Sequence, residues 1–219
     1  TYKGSATVVS NFTNDSSTLT NAISNISASG ESASISAALE KADSLLSAIT
    51  NPSVAKNVVL FTTGFTNTGS YNYSGKYNDT TPGHTWYNTS TKKHLYAYAN
   101  VALEKAQVIH KYANLYTIGL FENWAGMPEK GQELVTFFKQ FTQDLANPLE
   151  NFNPVYNKND LDAAFAAACN GVINNPFKDV NYQLYYFDAV IWAGENGITQ
   201  GTEFDTFDPN SICTREQMV

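Results

Sequence analysis

Apolar positions in residues 1–173 follow two alternating patterns, short apolar runs and longer stretches with helical spacing. The short runs predict four strands: Ala6 to Phe12, Val58 to Thr62, Leu115 to Phe121 and Pro154 to Tyr156. Apolar residues three or four positions apart share one helix face, which predicts four helices: 35–49, 95–109, 134–145 and Asp160 to Val172. Strands and helices that alternate in this way indicate an α/β fold with a doubly wound, mostly parallel sheet.

Two of these elements carry more specific expectations. Val58 to Thr62 is apolar on both strand faces, which is typical of a central parallel strand. Asn159 precedes the helix from Asp160 and is predicted to cap it, because a short polar side chain can accept hydrogen bonds from the first helical N–H groups.

The pattern changes at the linker 174–176, so the chain is predicted to contain one domain over 1–173 and a second region over 174–219. In the second region, a helix is predicted from the apolar residues between Tyr185 and Ala193. Another helix is predicted to start at Thr214, which forms a capping box with Gln217. The core of this small helical hairpin is predicted to contain four residues: Phe177, Trp192, Ile198 and Phe207.

The net charge is −7 and only 15% of the residues are charged. An acidic chain of this kind disfavours nucleic acid and anionic membranes as partners, and no apolar run has the length of a membrane span. Asn, Ser, Thr and Tyr supply the polar surface instead, which suits an extracellular protein. Cys169 and Cys213 either pair or stay free thiols.

A long polar segment, 66–93, separates a predicted strand from a predicted helix. Loops of this length in compact domains are usually functional or disordered. Five aromatic residues of the segment are predicted to form a recognition surface for a protein or glycan ligand: Tyr71, Tyr73, Tyr77, Trp86 and Tyr87. The rings of such residues give contact area at low entropic cost. The alternative is an irregular, solvated insertion.

No residue pattern indicates catalysis. His84, His94 and His110 are not at a metal-binding spacing, and His110 is interpreted as structural. Cys169 has no nearby His that would make it a nucleophile. We therefore expect that the chain is not an enzyme.

Four segments resemble a von Willebrand factor A-type domain over residues 1–173. They are Asn57-Val-Val-Leu-Phe-Thr-Thr-Gly-Phe, Tyr116-Thr-Ile-Gly-Leu, Gly30 to Leu39 and Asn159-Asp-Leu-Asp-Ala-Ala-Phe. The resemblance implies a metal-ion-dependent adhesion site, but the family's first strand and its Asp-x-Ser-x-Ser motif are absent. We therefore expect another polypeptide segment to complete the sheet.

The resemblance places Ser32, Ser34, Thr62 and Thr63 at this adhesion site. Hydroxyls bring no charge, whereas Mg²⁺ affinity depends on carboxylates, so the site is expected to be degenerate. A divalent cation, Mg²⁺ or Mn²⁺, is expected only if an upstream segment supplies carboxylates.

Residues 177–219 resemble an S-layer homology repeat. The matching motifs are Phe177-Lys-Asp-Val, Tyr185-Tyr-Phe-Asp-Ala-Val-Ile-Trp-Ala, Gly197-Ile-Thr-Gln-Gly, Phe207-Asp-Pro-Asn and Thr214-Arg-Glu-Gln-Met. This resemblance implies docking onto cell-wall polysaccharide, with Asp179, Thr214 and Arg215 near the binding grooves. A local salt bridge is the alternative role for Arg215. The repeat is single and incomplete, so it is not expected to bind wall polymer alone.

Together, the two resemblances imply a secreted bacterial surface protein with an adhesion or binding module held to the cell wall. Two alternatives remain open at this point: a structural surface-layer component without an external ligand, and an accessory region of a larger surface enzyme.

Overall fold

The computed structural model describes residues 4–26, 32–52, 54–122, 129–172, 175–180, 184–203 and 205–212. The chain divides into two compact units, 1–161 and 162–219. Eleven helices and strands lie in the described ranges: α1 (Ser16–Ser24), α2 (Ile35–Ser47), β1 (Asn57–Thr62), β2 (Tyr87–Asn88), β3 (Lys93–His94), α3 (Leu95–Ile109), β4 (Asn114–Leu120), α4 (Glu129–Leu145), β5 (Phe152–Val155), α5 (Leu161–Val172) and α6 (Phe187–Glu195). None of the helices described is both long and apolar enough to cross a membrane.

A parallel sheet with the order β1-β4-β5 forms the centre of the first unit. The central strand β4 is buried on both faces from Leu115 to Gly119. β1 lies at the end of the described sheet, and only one of its faces is fully buried, because Val59 and Phe61 are 39% and 40% exposed. The expectation of a strand at 58–62 that is buried on both faces is therefore wrong, although a parallel strand is present as predicted.

Helices α2, α3 and α4 share one apolar core with the inner face of β1 and β4. Ile35 and Leu39 of α2 and Phe138 and Phe141 of α4 are fully buried there. The sequence predicted these three helices correctly, because each has apolar residues three or four positions apart.

The amino-terminal half of α3 is enclosed on all sides. Every residue from Leu95 to Leu103 is buried, whereas the sequence predicted a helix with a single apolar face. The reason is that segment 66–94 folds back over the outer side of α3. Asn100 of α3 holds this segment: its side-chain oxygen accepts a hydrogen bond from Tyr77 N at 2.9 Å, and its Nδ2 donates to the carbonyls of Asn72 (3.0 Å) and Tyr77 (2.9 Å).

The predicted strand from Ala6 to Phe12 is wrong. Ala6 forms a single bridge, and Val8 and Val9 are exposed, so their alternation does not mark a buried strand face. The first regular element is instead α1. Its N-cap Asp15 accepts hydrogen bonds from the N–H groups of Ser17 (3.0 Å) and Thr18 (3.2 Å), as expected of a capping carboxylate.

Two predicted boundaries shift in the structure. β5 begins at Phe152, two residues before the predicted start. Asn157, rather than Asn159, caps the turn before α5, because its side chain accepts the hydrogen bond of Asn159 N at 2.9 Å. A single 3₁₀ turn, Lys158–Asp160, then leads into α5 at Leu161.

The second unit has a small core of Phe177, Val180, Phe187, Val190 and Ile191, with Phe207 packed against it. α6 buries the face formed by positions 187, 190 and 191. The next residue, Trp192, is rotated by about 100° from Ile191 on the helix, and it is 58% exposed.

Two other predictions for this unit are wrong, and a third concerns residues outside the described ranges. Ile198 follows the end of α6 and is 64% exposed, so it is not a core residue. Tyr185 lies in the turn before α6 and is not helical. The predicted helix from Thr214 lies outside the described residues.

Replacing Asn100 with alanine is predicted to lower the free energy of unfolding by about 3 kcal/mol, because two buried backbone groups and one partly buried one lose their partner. Hydrogen exchange at residues 72–77 is predicted to rise sharply in Asn100→Ala. The matched control is Asn114→Ala, which removes an exposed hydrogen bond to Asn57 and is expected to change stability by less than about 0.5 kcal/mol. Equal exchange at 72–77 in both variants would show that Asn100 does not hold the segment.

Candidate functional site

The segment after β1 is joined to the start of α2 by hydrogen bonds of neutral groups. The Asn67 side-chain oxygen accepts the hydrogen bond of Ala33 N at 2.9 Å, and Thr66 Oγ1 accepts that of Ile35 N at 3.4 Å. Ser34 caps α2, because its Oγ accepts the hydrogen bond of Ala37 N at 3.3 Å. These contacts fix where segment 66–94 leaves the carboxyl end of β1.

The four predicted metal-site residues divide into two groups. Ser34 and Thr62 are buried, and their oxygens accept backbone hydrogen bonds from Ala37 and Gly64. Ser32 and Thr63 are exposed. No cluster of three or more His, Cys, Asp or Glu side chains suited to a metal ion occurs in the described part of the chain. The residues at this position therefore do not fit a hard divalent cation, which prefers carboxylate oxygens.

Six aromatic side chains lie together where segment 66–94 meets α3, and we call them the aromatic platform: Tyr71, Tyr73, Tyr87, His94, Tyr96 and Tyr98. His94 and Tyr96 stack with their ring centroids 5.4 Å apart. Tyr73 meets both rings edge-on, at 6.1 and 5.6 Å. Edge-on and stacked pairs at these distances are favourable, so the rings hold one another in place.

Hydrogen bonds and a cation–π contact at the edge of the platform hold its rings in place. The Tyr96 hydroxyl donates to Asp79 Oδ1 at 2.6 Å, and burial, followed by this hydrogen bond, raises the pKa of Tyr96 to about 12. The hydroxyls of Tyr98 and Thr91 are 2.6 Å apart. Lys93 Nζ lies 4.3 Å from the centre of the Tyr71 ring, a favourable cation–π distance. These contacts hold Tyr71, Tyr96 and Tyr98 of the platform in place.

The structure brings Tyr71, Tyr73 and Tyr87 of the predicted recognition surface together on the platform, and all three are partly exposed. Trp86 is also exposed and lies beside them in the chain, and its carbonyl accepts the hydrogen bond of Leu95 N at 2.9 Å. Segment 66–94 contains the short hairpin β2–β3 and several turns capped by side chains, and many of its residues are exposed.

Tyr77 is corrected: it is not part of the recognition surface. Its ring is buried against Phe137 at 5.2 Å, and its hydroxyl donates to Asp144 at 2.6 Å. Burial and this hydrogen bond raise the pKa of Tyr77 well above its ordinary value. Asp144 also pairs with Lys76 at 2.6 Å, so Tyr77 fastens the segment to α4.

A cavity of about 460 Å³ lies beside the platform, and most of its residues were missed by the sequence analysis. Its lining is Tyr73, Asn78, Asp79, Lys92, His94 and Tyr96. The sequence feature that could have indicated this cavity is the spacing of His94, Tyr96 and Tyr98 by two residues. Helical spacing does not explain polar aromatic residues at alternate positions. His94 Nδ1 is buried without a hydrogen-bond partner among the described residues.

A larger cleft, of about 580 Å³, lies at the opposite end of the strands, where Lys56 and Asn114 precede or begin β1 and β4. Ligands of parallel α/β sheets bind at the carboxyl ends of the strands. The platform cavity belongs to the segment that leaves β1 at that end, and it is therefore the candidate site.

In the second unit, Asp179 holds the chain near Phe207. Its two carboxylate oxygens accept hydrogen bonds from Phe207 N (2.9 Å) and Asp208 N (2.7 Å), and the neighbouring Lys178 pairs with Asp205 at 2.9 Å. Burial acts to raise the pKa of the Asp179 carboxyl, but the two N–H groups outweigh it and hold the pKa below its ordinary value. Thr214 and Arg215 lie outside the described residues.

The other candidate residues are accounted for individually. Cys169 is a free thiol, and Cys213 lies outside the described residues. His110 Nε2 is 3.0 Å from the carbonyl oxygen of Leu145, a contact that joins the end of α3 to the end of α4.

The pKa of Asp179 is predicted to lie below 3.8, and the amide NMR signals of Phe207 and Asp208 are predicted to titrate with it. Because the pKa is lower in the folded chain, the contribution of Asp179 to stability is present above the unfolded pKa and is lost as the pH falls through the folded pKa. Asp179→Asn removes this titration, whereas Glu203→Gln, a change at an exposed site, retains it. A titration midpoint of Asp179 at or above pH 3.8 would show that the two N–H groups do not lower its pKa.

The chain has structural relatives among solved proteins. Two crystal structures of the pilus adhesin SpaC from Lactobacillus rhamnosus GG, one of them in an open conformation, match with TM-scores of 0.51 and 0.50 and 15% identity. Each match covers 73% of this chain and 22% of the adhesin chain. At this identity the likeness concerns the fold alone. Comparison with curated proteins finds no similar sequence.

Residues 176–219 match the model of the S-layer homology domain. The match includes the core residue Phe177, the helix α6 and the Asp179 contacts described above. Such domains bind cell-wall polysaccharide. Residues 176–219 are therefore an S-layer homology domain, and the protein is located at the cell surface, anchored to the cell wall.

Proposed function

We propose that the protein is a cell-surface adhesion protein in which the first unit binds an external ligand and the S-layer homology domain holds it to the wall. The observation that carries this proposal is the aromatic platform. Tyr71, Tyr73 and Tyr87 are partly exposed and are held there by ring contacts. The Tyr73 hydroxyl accepts a hydrogen bond from His94 N, and a lysine lies over each ring of Tyr71 and Tyr87. Rigid tyrosines give large contact area at low entropic cost. The fold likeness to a pilus adhesin is consistent with this role.

The first unit is proposed to be a divergent von Willebrand A-type domain with its sheet in a doubly wound arrangement. The parallel order β1-β4-β5 supports this relation. The contact between the segment after β1 and the start of α2 also supports it, because the family's adhesion site lies at that end of the sheet. The ligand surface is proposed to have moved from the hydroxyl groups there to the adjoining platform.

Recognition is proposed to be independent of metal and free of catalysis. The support is chemical: the oxygens of Ser34 and Thr62 accept backbone hydrogen bonds, and neither residue brings a negative charge that would offset the dehydration of a cation.

Replacing Tyr87 with alanine is predicted to weaken ligand binding at least about tenfold, because exposed tyrosines in rigid surroundings act as binding hot spots. Surface plasmon resonance of the purified chain over immobilised matrix proteins, glycoproteins and polysaccharides measures this. The matched control is Tyr156→Ala. The two tyrosines are 49% and 50% exposed, and each has a lysine over its ring, at 5.9 and 5.2 Å.

Equal binding by both variants would refute the role of the platform. Regular assembly of the chain at high concentration, with no ligand on any surface, would instead support a structural surface-layer component.

Mg²⁺ or Mn²⁺ added to the purified chain is predicted to give no saturable heat and no shift of the thermal midpoint. A ligand at a hundred times its Kd would stabilise the folded state by about 2.7 kcal/mol, which a melting experiment detects readily. A saturable heat of metal binding that disappears in Ser34→Ala would contradict the proposal that recognition is independent of metal.

A further inference from the structure

We propose that the cavity beside the aromatic platform binds an uncharged sugar residue of a glycan. This inference rests on the proposed adhesion function and names its ligand class. The cavity has a volume of about 460 Å³, inside the range of about 300 to 1,000 Å³ that is usual for small-ligand sites.

The lining has the chemistry that a sugar requires. A sugar ring carries hydroxyls that both donate and accept hydrogen bonds, and it has C–H faces that pack on aromatic rings. Lys92 supplies donors, Asp79 supplies acceptors and Asn78 carries a group of both kinds. Asp79 Oδ1 accepts the Tyr96 hydroxyl, while its second oxygen has no hydrogen bond to any described residue.

The rings that line the cavity are Tyr73, His94 and Tyr96. They offer apolar surface next to the polar groups, an arrangement that suits an amphipathic ring. None of the six lining residues has an aliphatic side chain of the Leu, Ile or Val type. A peptide anchor of that type would therefore find no matching wall, whereas protein interfaces concentrate their energy in well-packed, desolvated pockets.

The charges of the lining select a neutral sugar. Lys92 and Asp79 are its only residues of formal charge, one of each sign, so their charges cancel across the cavity. A charged sugar of either sign would meet one attractive and one repulsive group, whereas a neutral sugar can form hydrogen bonds with both. Matched opposite charges next to neutral hydroxyl and amide groups instead favour a dipolar, hydroxyl-rich ligand.

The cavity is formed before any ligand arrives. Tyr96 is fixed to Asp79 at 2.6 Å, and His94 N donates to the Tyr73 hydroxyl at 3.3 Å. Asn100 holds the backbone of the same segment at Asn72 and Tyr77. Binding therefore orders few side chains, which reduces the entropic cost of association. His94 Nδ1, buried without a partner among the described residues, is a local cost that this arrangement tolerates.

The test compares two aspartate variants of the full chain on an array of neutral and acidic oligosaccharides. Asp79→Asn keeps an oxygen for the Tyr96 hydroxyl but removes the carboxylate from the cavity. Asp43→Asn is the matched control, because Asp43 accepts the Tyr112 hydroxyl at 2.5 Å outside the cavity. In both pairs a tyrosine hydroxyl donates to the aspartate.

The expected result is binding to neutral oligosaccharides that Asp79→Asn weakens about tenfold, the effect of one hydrogen bond to a charged group. Asp43→Asn is expected to stay within about twofold of the unmodified chain. Comparing these two variants also removes the contribution of the S-layer homology domain, since both contain it unchanged.

Three outcomes would overturn the proposal: no neutral oligosaccharide is bound, acidic oligosaccharides alone are bound, or the two aspartate variants bind equally. Periodate treatment of an adhesive surface, which cleaves vicinal diols of sugars, separates this failure from that of the adhesion function. Loss of binding in Tyr87→Ala together with resistance to periodate would leave adhesion standing with a protein as ligand.

Discussion

Segment 66–94 and the aromatic platform depend on the side-chain amide of Asn100. It forms hydrogen bonds with three backbone groups of segment 66–94, at Asn72 and Tyr77. Asn100 itself is almost fully buried. A buried amide without partners would destabilise the fold, so helix α3 and the segment must form together. Gly75 shows how close the two are, because a Cβ atom there would lie 2.4 Å from Asn100 Cγ.

This dependence explains which parts of the fold were predictable. The helices α2 and α4 follow from the helical spacing of their apolar residues, and the strands β1 and β4 follow from short, nearly continuous apolar runs. The enclosure of α3 was not predictable in this way. It arises from contacts between residues more than 20 positions apart, such as Asn100 with Tyr77, and a periodic pattern carries no information about such pairs.

The candidate site shows the same limit at the level of single residues. The tyrosine content of segment 66–93 correctly indicated a surface with exposed rings, but it could not separate Tyr77 from Tyr73. The difference lies in Asp144 and Phe137, far along the chain, which bind and bury Tyr77. Asp79 and Lys92 were missed for the related reason that a lone charged residue in a polar loop has no pattern. In the second unit, Trp192 was assigned to the core because large apolar residues are usually buried, while the helix turns it away from Ile191.

Because the chain has few charged residues, few ion pairs hold the aromatic platform in place. The described residues contain three ion pairs, and only the pair of Lys76 with Asp144 anchors the covering segment. Most of its other fastenings are hydrogen bonds of amides and hydroxyls, including the capped turns at Asn72, Asn78 and Asn88. Salt screens exposed charges within about 8 to 10 Å at physiological ionic strength, but it affects neutral hydrogen bonds little. A recognition surface built mainly in this way keeps its shape when the ionic strength around an anchored cell-surface protein changes.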